Sequence, residues 1–93
     1  MFSGDLTLAG QAATVVLVYR TAAVCSTWRV QRSPQNYWTF SAQVQRVDPF
    51  LIRQKDLLFR TTLKGSAICW PVLTMVHDAR AHTLSGALAP PVS

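Results

Sequence analysis

The sequence predicts a mainly β protein, a small antiparallel barrel or two-layer sandwich of about six strands, with one short helix near residues 49–58. Three observations lead there. Thr, Val, Trp, Tyr and Phe recur in runs of strand length, short polar turns separate the runs, and helix formers are scarce, with no Glu and only Lys55 and Lys64 for lysine. At 93 residues, 49% hydrophobic and 14% charged, the chain can enclose one core but not two.

The elements follow in order. Residues 2–8 alternate, with Phe2, Leu6 and Leu8 on one side and Ser3, Asp5 and Thr7 on the other, and Ala9-Gly10-Gln11 then reads as a turn. Residues 14–20 hold Val15, Val16 and Val18 around Leu17, which suits a strand covered on both faces. Trp28 and Val30 alternate with Arg29 and Gln31 up to a turn at Ser33-Pro34-Gln35-Asn36, where Pro fixes the first φ. Trp38, Phe40, Ala42 and Val44 resume the alternation, and the opposite face is polar, with Thr39, Ser41, Gln43 and Gln45.

Asp48-Pro49 reads as a helix start, because Asp accepts from free amides and Pro tolerates the first helical position. Phe50, Leu51, Gln54, Leu57 and Leu58 would give that helix an apolar face, although residues 57–63 read equally well as a strand entered from a loop. Lys64-Gly65 is a turn, and residues 66–76 form an apolar strand that Pro71 places at a sheet edge or on a bulge. His77-Asp78-Ala79-Arg80 makes the next turn and residues 81–88 close the sheet. The expected domain is residues 1–88, followed by an extended tail at 89–93.

Nine basic residues against four acidic ones give a net charge of +5, and seven of the nine are Arg. Arg makes planar, multi-donor contacts, and an excess of Arg and aromatic residues over Lys and Glu is the composition of protein interfaces. A GC-rich genome also favours Arg and Ala. Cys25 and Cys69 define neither a disulfide framework nor a close metal-binding pair, which favours reduced thiols. Residues 1–5 lack the basic-then-apolar pattern of a secretory signal, and the apolar runs are shorter than the ~20 residues that cross a bilayer. The expected setting is the cytoplasm of a host cell or an assembled particle, without a membrane.

Catalysis would have to use His77, Asp78 and His82, with no Glu base and no further ligand at metal-binding spacing. The glycines stand singly, so no loop cradles phosphate. The sequence therefore predicts no enzyme, no metal, no cofactor and no small-molecule substrate. Trp28, Arg29, Arg32, Tyr37, Trp38 and Arg46 form the most suggestive group, since rings interleaved with Arg on a small barrel suit single-stranded nucleic acid.

The contact residues expected for either a protein or a nucleic acid are Arg29, Arg32, Tyr37, Arg46 and Arg53. The preferred function is a non-catalytic interaction or assembly module, binding a protein partner or its own copies, with a tail able to pair with a neighbour. The competing function is a nucleic-acid-binding barrel. In style, though through no residue motif, such a compact chain resembles small phage proteins that build the virion or inhibit a host complex.

Overall fold

Alternating side chains need two environments, and here the chain supplies them by curling one sheet onto itself. The computed structural model describes residues 7–17 and 20–92. Six strands, β1 (Thr7–Leu17), β2 (Arg20–Arg32), β3 (Trp38–Val44), β4 (Leu58–Leu63), β5 (Ser66–Asp78) and β6 (Thr83–Leu88), form a closed antiparallel barrel in the order β1-β2-β3-β6-β5-β4. The barrel is two three-stranded meanders, β1-β2-β3 and β4-β5-β6, joined along two seams. One seam pairs β3 with β6, from Trp38 opposite Leu88 to Gln43 opposite Thr83. The other pairs β1 with β4, from Ala13 opposite Thr61 to Val16 opposite Leu58.

Inward positions carry the large residues. Trp28, Val30, Phe40, Val44, Phe59, Trp70, Leu84 and Leu88 are all buried. Phe40 stacks on Phe59 at 4.7 Å between centroids, Trp28 meets Phe59 edge-on at 6.4 Å, and Trp38 meets Trp70 at 5.1 Å. Such pairs add about 0.5–1.5 kcal/mol each beyond area burial. Thr61 is fully buried and its Oγ1 accepts from Trp70 Nε1 at 3.1 Å. The indole nitrogen of Trp28 has no such partner, so Trp28 is held by packing alone at the cost of one unsatisfied donor.

The long hairpin bends where β1 and β2 change partners. Ala12 takes a φ of 67°, opposite Ser26, where the β2–β3 register shifts between Cys25 and Thr27. Before this bend β1 pairs with β2 alone, and after it β4 joins on the other side. A second irregularity, between Val15 and Val16, makes Ala22 the extra residue, so that Ala22 and Ala23 both turn inward.

Several expectations need correction. Ala9-Gly10-Gln11 is not a turn but the middle of β1; Gly10 is there because the Trp28 indole lies across it, 2.8 Å from where a Cβ would stand. The part of the first alternating run in residues 2–6 lies outside the described residues, as do Val18 and Tyr19. Within residues 14–17 the two faces differ, with Val15 and Leu17 buried and Thr14 and Val16 half-buried.

The helix near 49–58 shrinks to one 3-10 turn, Leu51–Arg53. Asp48 Oδ1 does accept from the Phe50 amide at 2.9 Å, but Leu51 and Leu57 are drawn separately into the core and no helical stripe survives. The strand alternative at residues 57–63 is the one observed, as β4.

Pro71 marks neither an edge nor a bulge. It sits inside β5, opposite Leu58, and its carbonyl accepts from the Ala89 amide, so its missing donor faces the tail rather than β4. The bulge falls two residues later, at Leu73. The turn after β5 also moves, to residues 79–82. Beyond β6 the tail lies along β5, where the Val92 amide donates to the Cys69 carbonyl in an isolated bridge. The turn at residues 33–36, the β3 alternation and the Lys64-Gly65 turn lie where the sequence puts them.

At Gly86 a Cβ would stand 1.9 Å from the Thr74 carbonyl oxygen, a backbone atom beside the β5 bulge. Gly86→Ala should therefore destabilise the barrel by at least the upper part of the ~1–3 kcal/mol overpacking range. Gly10→Ala, which meets a movable ring, should cost less. Urea unfolding of both variants checks the order; Gly86→Ala at wild-type stability would contradict this geometry.

Candidate functional site

Strand register arranges the outer surface into rows. Thr7, Gln31, Thr39 and Ala87 are adjacent across four strands, as are Ala9, Arg29, Ser41 and Ser85, and Gln11, Thr27, Gln43 and Thr83. Arg29 is the only charge in these three rows, so this sheet face is polar but nearly uncharged.

The other expected contact residues do not gather around it. Arg32 lies at the far end of β2 and stacks over the Trp38 ring, 5.6 Å from its centroid, while its guanidinium bonds the Asn36 side chain. Tyr37, 48% exposed, follows in the turn. Arg46 comes after β3, at the opposite end of that strand, and Arg53 closes the 3-10 turn. Only Arg32, Tyr37 and Trp38 form a local group. Trp28 and Phe40 are core residues, and Arg32 already covers Trp38.

Two hollows emerge that composition did not indicate. The first, of about 710 Å³, is a slot between residues 21–24 of β2 and the descending segment 45–49. It exists because β3 pairs with β2 only from Cys25 onward, which leaves the start of β2 without a paired strand on that side among the described residues. Arg20 bridges Asp48 across one end, and both side chains are partly exposed, so the bridge positions the wall more than it stabilises the fold. Val24, 65% exposed, and Arg46 also line the slot.

The second hollow, of about 380 Å³, lies between the 3-10 turn and β5. Leu57, Val72 and Met75 form part of its lining, and Leu73 and Ile52 stand out at 64% and 56% exposure. The bulge between Val72 and Thr74 is what turns Leu73 outward.

The titratable groups have structural surroundings. Asp78 Oδ1 accepts from the amides of Arg80 and Ala81 and so shapes the turn, while the His82 carbonyl accepts from Val44. Among the described residues no group of three His, Cys, Asp or Glu side chains comes together to hold a metal. Cys25 and Cys69 are both free thiols, Cys25 buried in the core and Cys69 half-buried on β5 beside Arg60. No helix of the described residues is long and apolar enough to cross a membrane.

No protein-family model matches this chain, and no curated protein or solved structure matches it.

Burial pushes the Cys25 thiol up to about 11. A thiol that ionises later in the folded state than in the unfolded one supports folding while protonated. Its contribution is therefore complete below its ordinary value of 9.0 and fades as pH rises toward about 11. Across that window wild-type stability should fall more steeply than that of Cys25→Ala, by denaturant titration at each pH. In the native protein Cys69 should react with an aromatic disulfide reagent at least tenfold faster than Cys25. Equal rates would mean that the barrel opens readily around β2.

Proposed function

We propose that this chain is a non-catalytic protein interaction or assembly module. The exposed apolar side chains around the second hollow carry the reading. Leu73 and Ile52 flank a depression whose lining includes the further aliphatic side chains of Leu57, Val72 and Met75. Apolar side chains grouped around a concavity on a small soluble domain mark a place where another surface docks. Phe50 lies next to this region in the chain, and Val76, 63% exposed, lies farther along β5.

The nucleic-acid reading has less support. Its arginines are spread over both ends of the barrel, and of the rings that would stack bases only Tyr37 is largely open. Oligonucleotide binding at about 50 mM salt should accordingly be weak, and no single change among Arg29, Arg32, Arg46 and Arg53 should abolish it. Tight binding that collapses by orders of magnitude at about 200 mM salt, and that depends on Arg29, would reverse the ranking.

For the interaction module, Leu73→Asp and Ile52→Asp should each weaken association at least tenfold while changing stability by no more than about 0.5 kcal/mol, as expected of exposed positions. Sedimentation over a hundredfold concentration range reads self-association, and co-purification with and without each variant reads a different partner. A chain that stays monomeric throughout and holds no partner displaced by either variant removes this function.

A further inference from the structure

The slot beside β2 is lined on both sides by backbone that the fold does not use. On one wall, residues 20–24 run along β1 and, among the described residues, have no strand on their other side. Ala22 is the extra residue of the β1–β2 irregularity, which leaves its backbone outside the β1 ladder as well. On the other wall, among the described residues, Gln45, Arg46 and Val47 neither donate nor accept a backbone hydrogen bond with another backbone group. The two walls run alongside one another without pairing, and the gap between them is about 710 Å³.

Strand edges are ordinarily protected by Pro, by an inward charge or by covering structure. Residues 21–24 are Thr-Ala-Ala-Val, with none of these side-chain protections; Thr21 and the apolar Val24 are exposed at its two ends, and Ala22 and Ala23 between them are buried. The irregularity at Ala22 twists this edge but does not fill the space beside it.

We infer that this slot accepts an extended segment of another polypeptide as an added β-strand, with an acidic side chain of that segment facing Arg46. Main-chain pairing with residues 21–24 supplies the recognition common to all strand addition, and the side-chain contacts select the sequence. The charge follows from the surroundings. Arg20 is already neutralised by Asp48 at the end of the slot, whereas Arg46 lines the slot with no carboxylate partner among the described residues. The net charge of +5 draws an acidic segment and opposes a second copy of this chain. The occupant is therefore an acidic, extended stretch of a different protein, with a small or apolar side chain set against Val24.

The inference rests on the reading of this chain as a protein-binding module, yet the two stand or fall on different residues. The probe is a fluorescein-labelled hexapeptide alternating valine and aspartate, titrated to 1 mM and followed by anisotropy and by amide hydrogen exchange of the full chain. Binding should slow exchange at residues 21–24 and 45–47. Arg46→Glu should weaken binding at least tenfold with unchanged thermal stability, and so should N-methylation of alternate amides in the peptide.

An N-methylated peptide that binds equally well, protection that appears only elsewhere, or no binding at 1 mM overturns the inference. So does protection of residues 21–24 by raising the protein concentration alone, which would make a second copy the occupant. If the slot fails while Leu73→Asp still abolishes an association, the interaction module stands without it. If the peptide binds the slot while Leu73→Asp and Ile52→Asp change nothing, the docking surface moves to β2.

Discussion

The pairing of β1 with β4 is the constraint on which this molecule depends. Without the four residue pairs from Ala13 to Val16, the sheet would have two open edges and Phe59 would face water instead of Phe40 and Trp28. Closure also demands that β1 abandon β4 beyond Ala13, which is why the backbone takes a positive φ at Ala12. The same bend, felt across the hairpin at Ser26, parts β2 from β3 and opens the slot. A single requirement of closing a small barrel thus produces both its core and its most unusual surface.

Much of the fold was legible because local chemistry and tertiary need coincide. Residues 38–44 alternate cleanly because one face of β3 enters the barrel and the other meets solvent. Ser33-Pro34-Gln35-Asn36 turns where its residue types favour turning, and Asn36 adopts the positive φ that Asn tolerates. The misreadings share a cause. Gly10 and Pro71 carry strong local signals, one for turns and one for strand edges, and in both cases a distant partner decides: the Trp28 indole over Gly10, and the Ala89 amide at the Pro71 carbonyl. Asp48-Pro49 has the chemistry of a helix start, yet Leu51 and Leu57 are each claimed by the barrel before a second turn can form.

The functional surface was less legible. The arginines and aromatics were identifiable, but whether they share a face depends on strand length and register, and here Arg32 and Arg46 lie at opposite ends of β3 while Arg29 stands opposite its middle. The apolar surface at Leu73 depends on a bulge that no residue type announces. The slot is harder still, because it consists of pairing that does not occur, and the inward turn of both Ala22 and Ala23 erases the alternation that would have identified residues 20–24 as part of a strand.

The construction from two meanders has a kinetic consequence. Each meander is assembled from neighbouring hairpins and closes only short loops, whereas both seams join strands far apart in the chain. Loop-closure entropy therefore makes the seams between the two halves the costly pairings, and rates in the slow range of all-β domains are expected. Until they dock, each half exposes two unpaired outer strands and half of an aromatic core. The nascent protein is thus more prone to aggregate than the finished one, and the segment between β3 and β4 is where the chain could be divided with the least loss of either half.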